Sequence, residues 1–64
     1  MGTEPERMLT EDEVGDILRG ISVRTLRRWR QEGIGPAYVK VGRRVLYREA
    51  DLSAWVEART VSPD

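Results

Sequence analysis

Apolar positions recur along the chain with two different periods, and the changes of period mark out its elements. Val14, Ile17, Leu18 and Ile21 stand at i, i+3, i+4 and i+7, the spacing of one helical stripe. Ahead of that stripe, Thr10 and Glu13 form a capping box, and Leu9 and Val14 occupy the two positions of a hydrophobic staple. Glu11, Asp12 and Glu13 fall in the first turn, where the helix dipole favours negative charge. Gly15 weakens this helix slightly but admits the close approach of another backbone, and Gly20 is expected to end it.

A second helix is predicted from Val23 to Glu32, with Ser22 as its N-cap and Gly33 at its C-terminal end. Leu26 and Trp29 share its inward stripe, whereas Arg24, Arg27, Arg28 and Gln31 lie off it. The link Arg19-Gly20-Ile21 is short, which fits two steeply crossed helices.

After the turn Gly33-Ile34-Gly35-Pro36 the pattern shortens to that of strands. Ala37 to Val41 and Val45 to Tyr47 are rich in strand formers. A two-residue type II′ turn at Gly42-Arg43 places Val39 opposite Leu46, on the expected core face. A three-residue loop, Gly42 to Arg44, would instead place Val41 opposite Val45; the pattern favours the first register. A last helix is expected from Glu49 to Ala58, with Leu52, Trp55 and Val56 as its apolar stripe. Arg48 is a poor N-cap for it. Residues 1–7 and 59–64 lack periodicity and are expected to be flexible tails around one domain at 8–58.

Composition narrows the function. The chain has 64 residues with no His and no Cys. That removes disulfides, a thiolate nucleophile, the usual zinc ligands and the commonest general base. No enzyme, metal site or cofactor is expected. The lack of cysteine fits a reducing cytoplasm, and the lack of a long apolar run argues against a membrane span. Glu11, Asp12 and Glu13 are a helix start rather than a metal site, because contiguous helical residues point different ways.

The net charge of zero conceals a segregation. Residues 1–18 set six acids against Arg7, a net of −5. Residues 19–48 set nine cations against Glu32, a net of +8, and all of these cations except Lys40 are arginines. Residues 49–64 carry a net of −3. Clustered arginines point to a polyanion, since their forked donors suit phosphates and guanine edges.

Helix, glycine turn, arginine-rich helix and arginine-tipped hairpin together predict an α+β, mostly helical, winged helix-turn-helix fold. Trp29 and Trp55 are expected in the core. Tyr38 and Tyr47 are either core edges or phosphate contacts. Asp51 is a candidate partner for a wing arginine.

The strings Leu9 to Val14, Ile21 to Gly33, Val39 to Arg44, Tyr47-Arg48 and Asp51-Leu52-Ser53-Ala54-Trp55 resemble the excisionase-type, MerR-like winged-helix family. The resemblance covers most of residues 8–58. Two departures stand out: Arg19 precedes the turn glycine where Leu is frequent, and no Pro opens the last helix. Carried over by position, the resemblance implies that Ser22, Arg24, Thr25, Arg27 and Arg28 belong to a recognition helix for the major groove. It likewise implies that Lys40, Arg43 and Arg44 form the wing, lying along the backbone or in the minor groove.

The resemblance implies double-stranded DNA as partner and a phage or mobile-element excisionase as role. Such a factor bends DNA near an attachment site and sets the direction of recombination by an integrase, which becomes a candidate second partner. The same domain also serves small MerR- or AlpA-like transcriptional regulators. The expected location is the bacterial host cytoplasm, on the nucleoid. The charge segregation adds an expectation of cooperative self-association, with the acidic segment of one copy facing a basic edge of the next.

Overall fold

In a computed structural model, which describes residues 7–62, the chain forms three helices and a three-stranded antiparallel sheet. The elements are β1 (Met8–Thr10), α1 (Glu11–Ile17), α2 (Val23–Glu32), β2 (Val39–Val41), β3 (Arg44–Arg48) and α3 (Glu49–Ala58). This is the predicted winged helix-turn-helix architecture, with one strand more than the sequence pattern suggested.

The extra strand is β1. Three residues are too few for an alternation to stand out, and the pattern places Leu9 only in a staple. It does pack with Val14 in the core, but the segment also pairs with β3, with Leu9 opposite Tyr47. Sheet order is therefore β1-β3-β2. The expected tail at residues 1–6 lies outside the described residues. Arg7 is tied down: its carbonyl accepts from the Glu49 amide at 3.0 Å.

Leu9, Val14, Leu26, Tyr47 and Leu52 form the core, and Leu18, Ile21, Trp29, Val45 and Trp55 pack against it. Burying each large apolar side chain contributes on the order of 1.5–3 kcal/mol. Every element but β2 supplies at least one of the five core residues, so the helices and the sheet depend on one another for stability.

Local signals set the helix starts. Thr10 and Glu13 exchange both bonds of the capping box, at 2.9 and 3.1 Å. Ser22 caps α2 by accepting from the Thr25 amide at 3.1 Å. Gly33 closes α2 at φ +71°. No side chain caps α3.

The first helix is shorter than its stripe. It stops at Ile17 because Arg19 (φ +65°) and Gly20 (φ +101°) are both left-handed and turn the chain back. Ile21 therefore reaches the core from the turn rather than from the helix. Ile17 is half exposed, as is Val56 on α3, although the helical spacing places both on inward stripes.

The hairpin adopts the two-residue turn, with Val39 opposite Leu46 and Gly42 at φ +61°. The face assignment differs from expectation. Val45 and Tyr47 face the core, so alternation puts Leu46 and Val39 on the other side of the sheet. The parity is set where β1 brings Leu9 against Tyr47, an interaction beyond the hairpin itself.

The C-terminal end of α2 is clamped to α3. The rings of Trp29 and Trp55 lie 5.5 Å apart, and the Trp55 indole N–H donates to the Ile34 carbonyl at 3.2 Å. Arg59 lies 4.1 Å over the Trp55 ring and donates to the same carbonyl at 3.2 Å. Residues 63–64, the end of the expected second tail, lie outside the described residues.

Candidate nucleic-acid interface

The outward face of α2 follows from its inward one. Leu26 is fully buried and Trp29 packs beside it, so positions three and four residues apart on the opposite side face solvent. Val23, Arg24, Thr25, Arg27, Arg28 and Gln31 line that open face together. Arg24, Arg27 and Arg28 are exposed, and Thr25 is half-buried. Gln31 stands at i+7 from Arg24, so the spacing alone placed it on this face.

Ser22 and Thr25 also have local work at the start of the helix. The Ser22 hydroxyl donates to Thr25 Oγ1 at 3.1 Å while accepting from the Thr25 amide. The Thr25 hydroxyl hydrogen is left to donate elsewhere.

Lys40, Arg43 and Arg44 are all exposed on the hairpin. They do not share one face. Arg43 sits at the turn, while Lys40, opposite Val45, and Arg44, opposite Val41, leave opposite sides of the ladder. Arg43 and Arg44 border a depression with Thr10, Glu11, Asp12 and Val45. Arg27 reaches the same Glu11 from α2, at 3.9 Å. The wing-tip arginines and Arg27 of α2 therefore border the start of α1 together.

Two of the middle cations are turned to internal work. Arg30 is largely buried, its side chain 15% exposed. Its Nη1 lies 2.7 Å from Glu11 Oε2 and donates to the Tyr47 hydroxyl at 3.0 Å, and the guanidinium sits 5.6 Å over the Tyr38 ring. Burial works against the charge on Arg30, but the hydrogen bond to Tyr47 and the ion pair with Glu11 outweigh it and hold its pKa above the ordinary value. Arg48 pairs with Asp51 at 3.4 Å. The partner of Asp51 is thus an arginine at the base of β3, not one at the wing tip.

The cluster of Glu11, Arg30 and Tyr47 was invisible in the sequence. Its members are far apart along the chain and belong to three elements. It also settles the two tyrosines differently: Tyr47 is fully buried, whereas Tyr38 is exposed beside α2.

A short helix, a left-handed turn, an outward arginine helix and an arginine-tipped hairpin define a small DNA-binding domain of the winged helix-turn-helix class. The family model of the helix-turn-helix domain matches residues 8–60, nearly all of the described chain, and the chain belongs to that family. None of the curated proteins is a significant match. Members of this family typically work by binding DNA rather than by catalysis. Among the described residues no helix is long and apolar enough to cross a membrane.

Proposed function

We propose that this chain is a sequence-specific DNA-binding and DNA-bending excisionase that sets the direction of integrase-mediated recombination. The α2 helix enters the major groove with Arg24, Thr25, Arg27 and Arg28 facing base edges and phosphates. Ser22 meets the backbone at the start of the helix. Arg43 and Arg44 at the wing tip follow the neighbouring backbone and minor groove, and Lys40, which leaves the other side of the ladder from Arg44, adds charge at the edge of that contact. The observation that carries this reading is that Arg27, one of the arginines on the open face of α2, and the wing-tip arginines Arg43 and Arg44 border the same start of α1. A single duplex laid along that side would meet Arg27 and the wing-tip arginines together.

The excisionase role rests further on the resemblance of the helix, turn and wing strings to that family. Integrase is the second partner in this reading, and copies of the chain bind side by side on the bacterial nucleoid. The test is a footprint and bend measurement on DNA flanking an attachment site, paired with an excision reaction containing the cognate integrase. Protection of a site there, and excision that depends on the protein, support the role. Protection confined to a promoter would make it a small MerR- or AlpA-like regulator instead.

A further inference from the structure

Glu11 is an acid set between two groups of arginines. Its side chain is only 19% exposed, and its Oε2 is shielded from solvent without a hydrogen bond of regular geometry. Two guanidinium groups share that oxygen, and they stand in different surroundings. Arg30, at 2.7 Å, is largely buried and is also held by Tyr47. Arg27, at 3.9 Å through its Nε, is 65% exposed and belongs to the outward face of α2. Arg30 therefore holds the carboxylate from within, and the carboxylate faces Arg27 from below.

The atom that Arg27 turns to Glu11 matters. A guanidinium has its Nε at one corner and its two Nη groups at the far end. With Nε the nitrogen that approaches the carboxylate, the Nη pair lies at the far end of the group from Glu11. That pair of parallel donors matches the O6 and N7 acceptors of guanine in the major groove. An arginine side chain is long and rotamer-rich, so steadying it before binding lowers the ordering cost of the contact. A negative charge beside the groove also disfavours approach of the phosphate backbone where no base contact compensates.

We propose that Glu11 is a positioning residue for base recognition, which steadies Arg27 to present its Nη fork to a guanine and disfavours non-specific DNA. The inference rests on the DNA-binding reading above and adds to it a residue that does not itself touch DNA.

The test is selection of binding sites from a random duplex pool by the full chain, followed by affinities on the selected and on scrambled duplexes. Wild type, Glu11→Gln, Arg27→Ala and the double variant are compared. Gln keeps an acceptor for Arg30 and removes only the charge. Glu11→Gln should lower the preference for one G·C position by about five- to tenfold, while binding to scrambled duplex tightens. On the Arg27→Ala background the same change should leave that preference untouched. A purely structural role through Arg30 would lower affinity on every duplex and on both backgrounds, and that result overturns the inference. So does wild-type discrimination by Glu11→Gln. If Glu11→Gln fails to fold by circular dichroism, Glu11→Asp carries the test: the charge stays, the reach is lost, and the preference must still fall. A wild-type chain that selects no sequence overturns the DNA reading itself, and the inference with it.

Discussion

Ile21 closes directly onto Gly15. Its N–H donates to the Gly15 carbonyl at 3.2 Å, and its own carbonyl oxygen occupies the space that a β-carbon on residue 15 would need. This contact sets how tightly the turn after α1 folds back, and so where α2 begins. The obstacle is backbone, which cannot rotate aside as a side chain can. Gly15→Ala should therefore destabilise the domain by about 2–3 kcal/mol. In a domain this small, that is a fall of roughly 10–20 °C in the melting temperature. Thermal unfolding followed by circular dichroism checks it; an unchanged melting point would mean that the turn is not held in this way.

Arg19 is the one non-glycine residue at positive φ among those described. A side chain in the left-handed region costs roughly 1–2 kcal/mol. Glycine there relieves the strain but loosens the unfolded chain, so the two effects partly cancel. Arg19→Gly should raise stability by about 0.5–1 kcal/mol. Chemical denaturation should show a higher midpoint with an unchanged slope.

DNA binding should depend strongly on salt. With Arg30 committed to Glu11 and Tyr47, the exposed cations of α2 and the wing remain for phosphates. Four to six such contacts give a log–log slope of about −4 to −5. A fluorescence titration across salt concentrations measures it, and a slope near zero contradicts the DNA reading.

The two arginine sets should do different work. Arg27→Ala or Arg28→Ala should cost about 1–3 kcal/mol on the preferred site and relax base preference. Arg43→Ala or Arg44→Ala should weaken binding to all duplexes more evenly, with some loss of preference for narrow A·T minor grooves. Binding-site selection with each variant separates the effects. A change of base preference confined to the wing variants would reverse the assignment.

Several copies should assemble side by side on a natural site. One recognition helix and one wing read only about one turn of DNA, too little to single out a site among ~10⁶ competitors. Contacts between the acidic end of one copy and a basic edge of the next would be heterologous and would propagate without closing. Gel-shift titration should show stepwise, cooperative complexes with increasing bend. A single one-protomer complex on straight DNA would rule the arrangement out.

What the sequence determined by itself is local. The capping box at Thr10 and Glu13, the Ser22 cap, the Gly33 stop and the Gly42-Arg43 turn each depend on residues within a few positions. So does the outward face of α2, because a helical period assigns Arg24, Arg27, Arg28 and Gln31 to one side once Leu26 and Trp29 are inside. The tertiary structure decided whatever depends on partners distant along the chain. Strand β1 exists because β3 is there to pair with it. The core face of the hairpin depends on Leu9 meeting Tyr47. The same holds for charge. Arg30 and Arg27 are three residues apart and chemically identical, yet the fold buries one against Glu11 and Tyr47 and leaves the other exposed. Burial and the partners it brings are set by how elements pack, and no local pattern records them.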